Sequence, residues 1–269
     1  MNRIRSITLA AAAAGGLAVL AAPPALAEST ATVSILHAVP GVPVDVYANG
    51  KELIPNFQPG TLTDPLSLPA GSYDLAIFPA GSNPATTKPA ASAAGVAVPA
   101  GANATVVAHL TETGTPVLTP FVNDVSPVPA GQARVVVRHT AAAPAVDIRA
   151  GGTVVAPRLT NPKEATLTVP AGTVAADVVL AGTGTVAIGP ADLRLAEGTV
   201  TAVYAWGSAA AGYQLAVQTL TGMASAPSAV NGGSAGLVDD GLPLPLVSLS
   251  GAGLVAAALA GRRLLAGRV

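Results

Sequence analysis

The 269-residue chain has no cysteine, which excludes a disulfide framework, thiolate zinc sites and cysteine nucleophiles. Aromatic residues make up 3% and charged residues 10%, so any core must be built from the Val, Leu and Ala that dominate its 51% hydrophobic content. No long helical periodicity runs between Glu28 and Gly236, and glycine-rich phosphate loops, basic stripes and glycosidase-like carboxylate pairs are missing too. Nothing in the sequence calls for a cofactor or a metal.

What is present sorts into two ends and a middle. Arg3 and Arg5, the apolar run Ile7 to Leu20 and the small-x-small triplet Ala25-Leu26-Ala27 read as a signal peptide cleaved to leave Glu28 first. Leu242 to Ala260 is an uncharged stretch of 19 residues, enough for roughly 28 Å of helix across a hydrocarbon layer of roughly 30 Å. Asp239 and Asp240 precede it, and Arg262, Arg263 and Arg268 follow, which predicts a cytoplasmic tail with the bulk of the chain outside the cell. The tail resembles Gram-positive sorting tails, but Leu242-Pro243-Leu244-Pro245-Leu246 has no Thr-Gly for a transpeptidase to cleave. The segment therefore reads as a retained single-pass anchor, with wall attachment the weaker reading.

Between the ends, Glu28 to Gly241 holds eight Lys or Arg against fourteen Asp or Glu, a net of −6 that offers nucleic acid no electrostatic footprint. The 24 prolines and 29 glycines punctuate short apolar runs, as expected of short strands and tight turns. An internal repeat organises them. Ile35-Leu36-His37-Ala38, Val44-Asp45-Val46, Gly50 and Pro55 match Val137-Arg138-His139-Thr140, Val146-Asp147-Ile148, Gly152 and Pro157 at an offset of 102. Leu68-Pro69-Ala70-Gly71 matches Val169-Pro170-Ala171-Gly172 at 101, and Val106-Val107-Ala108-His109 matches Val203-Tyr204-Ala205-Trp206 at 97. Asn49-Gly50 and Gly151-Gly152 suit tight hairpin turns, and the recurrent Pro-Ala-Gly triplets at Pro69, Pro79, Pro99, Pro129 and Pro170 predict chain reversals.

The expected architecture is all-β: two tandem immunoglobulin-like β-sandwich repeats of six or seven strands each, flanked by a signal peptide and a C-terminal transmembrane helix. The boundaries are a signal peptide over 1–27, repeats over 28–130 and 131–222, a flexible stalk over 223–241, the membrane helix over 242–261 and a tail over 262–269. Core strands are expected at Val33 to Leu36, Tyr73 to Phe78, Thr105 to Leu110, Val135 to Val137, Val174 to Leu180 and Val200 to Trp206.

His37, Pro40, Pro43 to Tyr47, the Asn49-Gly50 turn and Leu68 to Tyr73 resemble the bacterial secreted family called Domain of Unknown Function 4397. The second copy keeps His139, Pro144, Val146, Asp147 and the Pro170 turn, but has Arg149 in place of Tyr47 and no tyrosine after its turn. The resemblance implies an exported β domain and brings no agreed activity.

Three constellations invite chemistry. The recurring pairs His37/Asp45 and His139/Asp147 could serve an envelope hydrolase or a metal enzyme, but one His and one Asp are too few for zinc, and both types commonly satisfy backbone groups at turns. Gly232-Gly233-Ser234-Ala235-Gly236 fits a nucleophile elbow in letters only, since it lies in the low-complexity stalk with no histidine after it. His109, Tyr204 and Trp206 fall at matching places on inferred strands, where they form either a sugar-stacking platform or, as favoured, core. The leading functional expectation is a non-catalytic surface module for adhesion, envelope scaffolding or ligand binding, with an envelope protein or polysaccharide as partner.

Overall fold

β-branched runs broken by Gly and Pro fold here as strands throughout. In the computed structural model, which describes residues 29–225, the first copy forms β1 (Thr30–Ala38), β2 (Val44–Ala48), β3 (Lys51–Phe57), β4 (Leu66–Pro69), β5 (Gly71–Pro79), β6 (Ala91–Val98), β7 (Asn103–Leu110) and β8 (Pro116–Val122). The second forms β9 (Gln132–His139), β10 (Val146–Ala150), β11 (Thr153–Leu159), β12 (Glu164–Pro170), β13 (Gly172–Leu180), β14 (Val186–Leu195), β15 (Val200–Ser208) and β16 (Gly212–Leu220). No helix occurs among the described residues, and none there is long and apolar enough to cross a membrane. The expected signal peptide, most of the stalk with its Gly232 to Gly236 motif, the membrane helix and the tail lie outside the described residues.

The expected core strands fall within β1, β5, β7, β9, β13 and β15. Each copy has eight strands, more than the six or seven expected, because short edge strands such as the four-residue β4 carry too little apolar sequence to stand out. Each copy is a sandwich of two four-stranded sheets, and the orders repeat element for element. An inner sheet runs β4-β1-β7-β8 in the first copy and β12-β9-β15-β16 in the second; an outer sheet runs β3-β2-β5-β6 and β11-β10-β13-β14. The central inner pairs, β1 with β7 and β9 with β15, are parallel. His37 lies opposite Ala108 and His139 opposite Ala205, which places His109 and Trp206 at equivalent positions and accounts for the offset of 97.

Turn chemistry follows the sequence in part. Asn49 (φ 51°) and Gly50 (φ 74°) both adopt the left-handed conformation that a tight β2–β3 hairpin needs. The Pro-Ala-Gly triplets at Pro69, Pro99 and Pro170 differ from simple reversals: each hands the chain from one sheet of its sandwich to the other.

Alternation sets the layers. In β1, Val33 and Ile35 face the outer sheet of their own sandwich, while Leu36 and Ala38 face the second copy. In β15, Val200, Ala202, Tyr204 and Trp206 meet Leu36, Ala38, Val107 and Phe121 of the first copy in one shared core. The two inner sheets therefore pack face to face. This is why β15 is buried from Val200 to Gly207 with no exposed side, where an isolated sandwich would leave alternate residues wet. Met223 joins that core, and its carbonyl accepts the Val128 amide at 2.6 Å, while Ala224 bridges to Val128. The folded unit thus runs past the Gly222 boundary expected from sequence, and Gly198 leaves the room for it: a Cβ there would sit 2.6 Å from that of Ala224.

The sandwich interiors differ at one equivalent site. Tyr73 fills the first copy and donates its hydroxyl to the Pro69 carbonyl at 2.8 Å, leaving a cavity of ≈20 Å³. Val174 stands there in the second copy, beside an apolar cavity of ≈70 Å³.

Candidate functional site

The recurring aspartates sit where β2 and β10 are flanked by bulged neighbours. Asp45 accepts the Asn56 amide at 2.7 Å through one carboxylate oxygen and the Gly81 amide at 2.8 Å through the other. Asp147 does the same with Arg158 at 2.7 Å and Gly182 at 3.1 Å. Asn56 and Arg158 are equivalent, and both hold positive φ, 50° and 52°, at register shifts in β3 and β11. Each carboxylate thus ties a strained strand to the turn after β5 or β13. The two amide bonds hold the Asp147 carboxyl below its ordinary value, that from Arg158 most strongly. Replacing Asp45 by Ala strands two amides at a nearly buried site and is expected to destabilise the protein by about 1 to 3 kcal/mol in denaturant melts. Asp147→Ala, at a more solvated site, should cost less.

The recurring histidines also turn to their own backbone. His37 donates from Nε2 to the Val42 carbonyl at 3.2 Å and accepts the Val39 amide on Nδ1 at 3.4 Å. His139 repeats this with the Pro144 carbonyl at 3.0 Å and the Ala141 amide at 3.4 Å. These partners fix a neutral imidazole with both nitrogens engaged. His109 bonds the Leu110 carbonyl at 2.9 Å and the Thr119 hydroxyl at 2.8 Å. Among the described residues, no group of three His, Asp or Glu is placed to hold a metal ion.

Burial holds all three imidazoles below the ordinary 6.5, only partly offset by carbonyl acceptors at each and by Glu112 at His139. The sign follows. A group whose folded pKa is depressed contributes stability that is present above its unfolded value and lost as pH falls toward the folded one. The melting temperature should therefore drop as pH goes from about 7 to about 5, before the carboxylates begin to titrate. A melting temperature flat across that range would mean that the imidazoles are solvated.

The third constellation is buried, as favoured, and it lies between the copies. His109, Tyr204 and Trp206 are 0%, 0% and 4% exposed, so no sugar platform exists at these positions. Tyr204 belongs to a hydrogen-bonded chain that crosses the interface. Arg138 Nη1 donates to the Tyr204 hydroxyl at 2.7 Å, which donates to Gln218 Oε1 at 2.7 Å. Gln218 also accepts from Thr105 of the first copy at 2.9 Å, and Thr105 accepts from Asn123 at 3.1 Å. The Arg138 guanidinium, 1% exposed, lies 4.6 Å from the centre of the Phe121 ring and pairs through Nε with Glu164 at 2.8 Å. Asn161 adds a second crossing, donating to the carbonyls of Leu110 at 2.8 Å and Ala141 at 2.6 Å. Sequence reasoning missed Arg138, Glu164 and Gln218, because charged residues on alternate positions of a strand read as a wet face.

An open concave surface lies on the outward face of the first outer sheet. Tyr47 lines two open hollows there, one of ≈550 Å³ reaching Asp74, Phe78, Pro84 and Ser92, and one of ≈560 Å³ reaching Glu52, Asn56 and Ser82. Its ring meets Phe78 edge-on, with centroids 5.3 Å apart and planes at 78°, and its hydroxyl donates to Glu52 at 3.3 Å. The wall carrying Pro84 belongs to the β5–β6 connection, residues 80–90; its counterpart in the second copy is only residues 181–185. That shortening, partly offset by a longer β14, produces the drift in repeat offset from 101 to 97. Where the first copy has Tyr47 the second has Arg149, locked to Asp177 by a two-pronged ion pair. The sequence signals for this surface were the Tyr47/Arg149 divergence and the unequal loop.

Nothing among curated proteins matches the chain. Ten chains of solved structures match, among them a Bacteroides uniformis protein provisionally assigned to cell adhesion, solved at 1.67 Å. It shares 11% identity over 71% of this chain and 96% of its own, with a TM-score of 0.19, a likeness that carries no argument about role. The family model described as Domain of unknown function (DUF4397) matches residues 31–149, the first copy and the opening strands of the second. Over that segment the chain is similar to the DUF4397 family.

Proposed function

We propose that the chain is a non-catalytic module of the cell surface, in which two fused β-sandwiches stand outside the membrane on a C-terminal hydrophobic anchor and present a binding face to an envelope polysaccharide or protein. One observation carries most weight. In both copies the recurring carboxylate engages backbone amides with both oxygens, and the recurring imidazole engages backbone with both nitrogens. A hydrolase or metal enzyme built on these pairs needs the imidazole lone pair free for a proton or an ion, and in both copies a backbone amide occupies it. The outward sheet faces and loops are then the surfaces left for recognition.

Cell fractionation tests the reading. The full chain is expected in the membrane fraction, and a chain ending at Gly241 in the medium, where it should still capture an envelope component. Retention of the shortened chain on washed membranes would contradict the anchor. A hydrolytic or metal-dependent activity abolished by His37→Ala, with the melting temperature unchanged, would contradict the non-catalytic role.

A further inference from the structure

From the hollows beside Tyr47 we infer an oligosaccharide-docking site on the outward face of β2, β5 and β6, an inference that rests on the non-catalytic surface reading and names the ligand class. Tyr47 lines both hollows, so a ligand long enough to occupy the two must pass along its ring. The edge contact with Phe78 and the hydroxyl bond to Glu52 hold that ring in one attitude, which lowers the ordering cost of binding. The floor beside it is made of Ala76, Ser92, Ala93 and Ala94, short enough for a flat ring to come down to the sheet.

The chemistry around the ring selects among ligands. Asp74 and Glu52 are exposed acceptors, one in each hollow, and Ser92 adds a hydroxyl. Carboxylates at both ends repel an anionic ligand. A pyranose presents an apolar C–H face, which suits the amphipathic tyrosine ring, and a rim of hydroxyl donors, which suits the acceptors. An added peptide strand does not fit, because β2 and β5 are each paired on both sides and this face offers side chains rather than free backbone. The second copy lacks the site: the Arg149–Asp177 pair occupies the corresponding place, Val179 replaces Phe78, and the wall loop is shorter.

The full chain titrated with the uncharged probes chitotetraose and cellotetraose, followed by calorimetry and saturation-transfer NMR, tests the inference. At least one probe should bind with Kd between about 10 μM and 1 mM. Tyr47→Ala, and Ala94→Trp on the exposed floor, should each weaken it by about tenfold or more, while Arg149→Ala in the second copy leaves it unchanged. Ala94→Trp keeps Tyr47 and its contacts, so it reads the site even if Tyr47→Ala disturbs the sheet. Failure of every probe to bind, or binding that survives both first-copy variants, overturns the inference. Capture of an envelope protein with no glycan binding would overturn it while leaving the surface-module reading intact; failure in fractionation would overturn that reading alone.

Discussion

Glu164→Leu is expected to destabilise the protein by about 3 kcal/mol, and Arg138→Leu added to it should recover most of that loss. Arg138 is buried under Phe121, and Glu164 is the carboxylate that balances its charge, with 40% of the acidic side chain still in water. Removing the acid alone leaves an uncompensated guanidinium between two sheets, which is among the costliest single changes a core can suffer. The double replacement has a template inside the molecule. Leu36 and Leu62 occupy the equivalent positions in the first copy, also bridged across β1, so an apolar pair is already known to fit this place in the fold. Tyr204 loses the Arg138 donor in that variant but keeps Gln218 as acceptor, so its hydroxyl stays satisfied. Chemical denaturation of the two single variants and the double gives the coupling directly. If the double variant were as unstable as the sum of the singles, the pair would not be acting as a unit.

Trp206→Ala should cost about 3 to 5 kcal/mol, the range for deleting a large buried aromatic side chain. The indole is 4% exposed and reaches the first copy closely enough that a Cβ on Gly60 would lie 3.1 Å from its Cζ2. Its Nε1 has no hydrogen-bond partner among the described residues, so Trp206→Phe, which removes that donor and keeps much of the ring, should cost far less. A large loss in both variants would mean that the N–H is bonded. Small losses in both would mean that the inter-copy face is loosely packed.

Much of the fold can be read from the chain because its two copies vary the same pattern. Offsets of 102, 101 and 97 align strands whose pairing repeats from one copy to the other, and Asn49-Gly50 sits where a left-handed turn is needed. Local sequence does not reveal what covers the second face of a strand. Arg134, Val136 and Arg138 alternate with Val135 and Val137 and read as one dry and one wet side, yet the charged side is buried against the other copy. An interface between copies leaves no periodic mark of its own. Its trace is divergence at equivalent sites: Leu36 against Arg138, Val107 against Tyr204 and His109 against Trp206, with the smaller residue of each pair in the first copy and the larger in the second. The recurring His and Asp were visible for the same reason that their role was hidden, since their partners are backbone groups brought close only by the bulges and turns around them.

The central claim is that the two copies form one folded unit through their inner sheets. Scanning calorimetry of the chain ending at Gly241 tests it most directly. The account predicts one transition with equal calorimetric and van't Hoff enthalpies, which Trp206→Ala lowers as a whole. Two separable transitions, with Trp206→Ala shifting only the second copy's, would contradict it.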